Sequence, residues 1–157
     1  MTLSKSIANH LREVFGGGNW TYVNLKDTLA DVDLKIATKK LDEFNSIAAL
    51  TFHIGYYITA VLKVLEGEKL NASDKYSFDV PPLGTESEWR QFVTKIFEDV
   101  EAFANFVEQM PDEKILEDFP ESKYGSYYRN ISGIIEHTHY HLGQIVILKK
   151  IITQELK

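Results

Sequence analysis

Three of the five histidines fall within five residues, in the run Glu136-His137-Thr138-His139-Tyr140-His141-Leu142-Gly143-Gln144. Imidazole offers a neutral nitrogen to divalent metals and titrates close to neutral pH, so this run is the place to look first for chemistry. Two backbone geometries select different residues. On a strand, alternate side chains share a face, and His137, His139 and His141 would point together. On a helix, residues four apart share a face. His137 and His141 would then pair, with His139 about 200° round the axis.

The flanking residues favour the helix. Ile131, Ile134, Ile135, Ile145, Leu148, Ile151 and Ile152 recur at spacings of three and four. No alternating pattern can be drawn through Ile134-Ile135 or from Ile145 to Leu148. The spacing predicts one helix over residues 126 to 153, with His137 and His141 ~6 Å apart along the axis and ~40° apart around it. Two imidazoles so placed can reach one ion.

His53 is the third candidate ligand, in the middle of an apolar segment with Tyr57 one turn on. A buried imidazole has two nitrogens to satisfy, and an apolar core offers few partners. Two readings follow. Each histidine can be hydrogen-bonded separately in the core or half exposed. Alternatively, His53, His137 and His141 converge on a divalent metal. Three neutral nitrogens with an open position is the ligand set of catalytic zinc, and it also suits nickel, iron or copper. Tyr57 is the nearest polar side chain that could assist catalysis, or it fills the core with its hydroxyl at the rim. Glu136 is a second candidate acid or base. Tyr124, Tyr127 and Tyr128 either wall the mouth of such a pocket or pack the start of the helix. Gly143 beside His141 suggests close helix approach or room next to the ion, and Gln144 suits a hydrogen bond to a loop.

Glu136 and His139 also form Glu-x-x-His, the element of carboxylate-bridged di-iron bundles. That site needs a second such element and two further inward glutamates. The positions three before His10 and His53 are Ile7 and Leu50. His139 and His10 are accordingly assigned to the surface, His139 with a possible role in a dimer contact.

The elements that must carry these residues read as helices throughout. Leu3, Ile7, Leu11 and Val14 make a first helix that ends at Gly16-Gly17-Gly18. Trp20 follows and is expected to plug the end of the bundle. Asn24 can cap a short helix with Asp27 in its first turn, and residues 33 to 44 also show helical spacing. Asn45 or Ser46 caps a second long helix that is apolar almost all round and stops at Gly67, so it should lie centrally. Residues 68 to 84 form a long polar connection. Thr85 and Glu88 make a capping box for a third long helix, whose apolar residues from Trp89 to Met110 alternate steps of four and three. Pro111 ends it. Four substantial helices, one long crossover loop and no strand predict an all-α four-helix bundle forming a single domain over residues 1–157.

Composition narrows the function. At 157 residues, 44% apolar and 12% aromatic, the chain has the makings of one folded core. A net charge of −6 with no Lys/Arg run beyond two residues argues against a nucleic-acid partner. The lack of cysteine removes disulfides, thiolate zinc sites and a cysteine nucleophile, and it fits a reducing compartment. No signal peptide is visible at Met1-Thr2-Leu3-Ser4-Lys5, and no uninterrupted run of about 18 apolar residues predicts a membrane span. A cytoplasmic location is expected.

His137, with His141-Leu142-Gly143-Gln144-Ile145 four residues on, resembles the DinB/YfiT-like family of metalloenzymes. The Asn45-Ser46-Ile47-Ala48 entry to the His53 helix, and Trp20 after the glycines, extend that resemblance over nearly the whole chain. It implies a four-helix bundle, often a homodimer, with a divalent zinc, nickel or iron ion on His53, His137 and His141. It further implies a small-molecule substrate and an activated water or low-molecular-weight thiol, hence a hydrolase or thiol transferase. A non-catalytic, dimeric, metal- or small-molecule-binding bundle is the alternative.

Overall fold

The structure, a computed structural model, describes residues 1–156 and is all-α. Seven α-helices follow in order: α1 (Leu3–Gly16), α2 (Leu25–Leu29), α3 (Leu34–Thr38), α4 (Ile47–Leu65), α5 (Glu86–Gln109), α6 (Asp112–Leu116) and α7 (Tyr127–Glu155). Among the described residues there is no strand, only an isolated bridge between Asp118 and Ser126. The four long helices close a ring: α1 packs on α5 and α7, and α4 packs on the same two.

Local chemistry starts these helices. The side chains of Thr2, Asn24, Asp33, Ser46 and Ser126 each accept from a backbone N–H in the first turn of the helix that follows. Thr85 and Glu88 complete the capping box on α5. The first N–H groups of α1 have a distant partner: Asp112, at the head of α6, accepts from Leu3 and Ser4 at 3.0 and 2.9 Å. One carboxylate thereby satisfies two orphan donors and joins chain segments more than a hundred residues apart.

Two expectations fail here. Trp20 does not plug the interior; it is 93% exposed. Its neighbour Asn19 is buried instead, with its amide donating to the carbonyls of Glu13 and Val23. A buried amide that closes the turn leaves no place beneath it for an indole. The helical spacing over residues 33 to 44 produces only the five residues of α3, and the chain turns instead with Asp42 at φ +44°. Trp89, the other tryptophan, is wholly buried and donates its indole N–H to Val32 at 2.8 Å.

Helix α4 is buried along most of its length, as its unbroken apolar character requires. By length and composition it is long and apolar enough to cross a membrane, but 72% of that stretch is covered by the rest of the protein. It packs tightly on α5 at Gly55, where a Cβ would lie 2.9 Å from Cγ1 of the buried Ile96. Gly143 on α7, expected either at a close helix approach or at room beside the ion, is exposed and would place a Cβ within 4 Å of nothing, so no helix presses on it.

The two glycines should respond oppositely to alanine. Gly55→Ala forces overlap with a stiff β-branched side chain and should cost about 1–3 kcal/mol in urea unfolding. Gly143→Ala should gain up to about 1 kcal/mol from helix propensity alone.

Candidate metal centre

His53 reaches inward from the middle of α4, and His137 and His141 come from successive turns of α7. His53 and His141 are 8% and 7% exposed; His137 is half-buried. Because α4 and α7 pack together, the three rings meet. Nε2 of His137 lies 3.0 Å from Nε2 of His53 and 3.1 Å from Nε2 of His141, and the three candidate ligand atoms lie within 4.8 Å of one another.

The far side of two rings decides where their lone pairs point. Nδ1 of His53 faces the backbone carbonyl of Ser77 at 3.2 Å, and Nδ1 of His141 faces Oε1 of Gln144 at 2.7 Å. Both oxygens can only accept, so each Nδ1 carries the proton and each Nε2 presents a lone pair to the centre. His137 can contribute at most one N–H, which would have to serve two acceptors. A cation at the centre satisfies all three nitrogens at once. Nitrogens sharing a tetrahedral ion at ~2.1 Å stand about 3.4 Å apart, only slightly wider than the two separations to His137. The three histidines can therefore hold a metal ion. Burial, with the other two imidazoles adding repulsion, pushes the His137 pKa down to about 4. Burial lowers that of His53 as well, with His141 adding to it. These rings are neutral, and so competent as ligands, at neutral pH.

Around the centre lies an open cleft of about 660 Å³. Part of its wall is the connection between α4 and α5, held down by one face of α4. Tyr56 exchanges hydrogen bonds with the backbone of Ser73, Tyr57 donates to Asp74, and Phe78 stacks on His53 with centroids 3.9 Å apart and planes 7° from parallel. Tyr57 sits edge-on to both His53 and His137, each centroid 5.2 Å away. Its pKa is raised to about 12 by burial and by Asp74, so its phenol keeps its proton and acts as a donor.

The remaining candidates are placed as follows. Glu136 is exposed and does not line the cleft. His139 is half-buried and His10 exposed; their rings lie 6.5 Å apart across α1 and α7, away from the centre. Tyr124, Tyr127 and Tyr128 do not wall the cleft. Tyr127 packs edge-on against Phe119, and Tyr140, Asn130 and Gly133 line the α7 side instead. Gln144 bonds His141 rather than a loop, a partnership that i,i+3 spacing on a helix could have signalled. Asp74, Ser77 and Phe78 carried no such signal, because their place depends on where a 20-residue connection lies.

Two outcomes test this arrangement. Gln144→Ala leaves His141 without its orienting acceptor and should weaken zinc binding by about 10- to 100-fold in competition with a chromogenic chelator. For the metal-free protein, His137 has a folded pKa below its unfolded value near 6.5. It contributes stability above pH ~6.5 that is lost as pH falls towards 4. The urea-unfolding free energy of wild type minus that of His137→Gln should therefore shrink between pH 7.5 and 4.5; a constant difference would contradict it. No protein-family model, curated protein or solved structure matches the chain.

Proposed function

We propose that this chain is a metal-dependent enzyme on a four-helix bundle with a long crossover connection. Its ligands are His53, His137 and His141, and its substrate is a small molecule admitted through the cleft beside them. The observation that carries this reading is the convergence of three Nε2 atoms, two of them presenting lone pairs because acceptors occupy Nδ1. The resemblance to DinB/YfiT-like bundles in His137, His141, Gly143 and Gln144 points the same way. It adds the expectation of a homodimer acting in the cytoplasm.

A divalent zinc, nickel or iron ion would supply Lewis acidity at its open position, lowering the pKa of a water or low-molecular-weight thiol there. The chain's own residues do the rest. Ser77 and Gln144 hold His53 and His141 in one tautomer. Phe78 covers one face of His53 and keeps water from it. Tyr57 keeps its hydroxyl proton, donates it in a hydrogen bond to Asp74 and lays its ring edge-on beside His53 and His137. Hydrolysis and thiol transfer both fit this set. The open cleft favours a catalytic site over a closed structural ion, the alternative reading, because a structural ion has all its positions filled by protein.

Protein purified without a histidine tag or chelator should carry or accept about one divalent ion per chain by elemental analysis. His53→Ala, His137→Ala and His141→Ala should each abolish this. Metal held at about 100 times its Kd should raise stability by roughly 2.7 kcal/mol. Occupancy below ~0.2 per chain after reconstitution, or undiminished binding in His141→Ala, would reject the metal centre.

A further inference from the structure

The cleft over the three histidines has a one-sided polarity. Asp74 is the formally charged side chain that lines it, and no lysine or arginine does so among the described residues. Asp74 is exposed at the head of a 3-10 turn; its Oδ1 accepts from Tyr57, and among the described residues Oδ2 takes no donor. The adjacent cation, Lys75, turns away over the ring of Tyr76, 5.3 Å from its centroid. Asn130 also lines the cleft, but its amide nitrogen is committed to the carbonyls of Tyr124 and Ser126, so its remaining capacity is that of an acceptor. Three aromatic rings, Tyr57, Phe78 and Tyr140, share the lining with the aliphatic Val61 and Ile134. Phe78 gives one face to His53, and Tyr140 is 65% exposed and edge-on to His141 at 4.8 Å.

Away from the three histidines, where a bound ion would draw the anionic end of a ligand, a carboxylate, spare acceptors and aromatic rings suit a compact cation better than an anion. We propose that the cleft selects ligands bearing an ammonium group, seated between Asp74 and the aromatic rings while the rest of the molecule reaches towards the histidines. Where the ligand ends on a metal, the inference rests on the metal-centre reading; the recognition of the cation rests on the cleft lining alone.

Both parts can be measured on the full chain. Cobalt(II)-loaded protein is titrated with three two-carbon thiols that differ only in their head group: thiocholine, 2-mercaptoethanol and 2-mercaptoethanesulfonate. The sulfur-to-cobalt absorption band reports binding. Affinity should fall in that order. Between wild type and Asp74→Asn the cationic thiol should lose about three- to five-fold, the neutral thiol should barely move, and the sulfonate should gain. Comparing each thiol with itself cancels its own acidity. Asp74→Lys should reverse the order. Identical responses in wild type and Asp74→Asn would overturn the inference while leaving the metal centre intact. If cobalt gives no spectrum, the metal reading fails instead. An NMR titration of metal-free protein with choline and 2-hydroxyethanesulfonate then decides the cation site: choline-specific shifts lost in Asp74→Asn support it, and their absence from wild type overturns it.

Discussion

A buried imidazole must do something with both of its nitrogens, and three of them facing one another cannot all do so with protons. That constraint organises the centre of this protein. Ser77 and Gln144 take the outer N–H of His53 and His141 and so aim two lone pairs at the same point. His137 faces both at hydrogen-bond distance and can answer only one of them well. In a low-dielectric interior an unanswered polar atom is expensive, and a shared cation resolves the conflict without moving a helix. Burial works in the same direction by lowering the pKa of His137 and His53.

The scaffold is stiff where the rings need it to be. His53 rides on a helix covered by apolar neighbours on most sides, and two residues after it Gly55 lets Ile96 press against the backbone. That contact sets the depth of α4 against α5, and through α4 the position of the His53 ring. On α7 the two candidate ligands lie one turn apart on a 29-residue helix, so their mutual spacing follows from helix geometry. The more loosely built part is the connection after α4, which has no long helix of its own. It is tied down chiefly by side chains of α4: Tyr56 to Ser73, Tyr57 to Asp74 and His53 to Ser77 and Phe78. One of those ties is a candidate ligand, so order in the connection and orientation of the ring are parts of the same arrangement.

The helical architecture was legible because its signals are local. Capping side chains at Asn24, Ser46 and Thr85, terminators such as Gly67 and Pro111, and apolar steps of three and four each act within one or two turns. Segment 33 to 44 shows where such signals run out. Its spacing is helical, yet the chain stops the helix at Thr38 and turns. Trp20 shows the other failure. A large apolar side chain is expected inside, but Asn19 closes the same turn with two buried hydrogen bonds and leaves the indole outside. Ile151, assigned to the apolar face of α7, is likewise 42% exposed, while its neighbour Ile152 is fully buried.

The candidate site divides along the same line. The sequence by itself determined that His137 and His141 share a helix face, since helical periodicity places residues four apart together whatever else the chain does. It also determined that His53 lies deep, because its helix has no polar face to turn outwards. That the three nitrogens come within about 3 Å of a common point was decided only by the packing of α4 on α7. The neighbours from the connection were decided by packing too: Ser77 and Phe78 meet His53, and Asp74 meets Tyr57, across 17 or more residues of chain. No periodicity encodes such neighbours. They exist because the backbone between two helices settles over a particular patch of side chains, and that is a property of the packed whole.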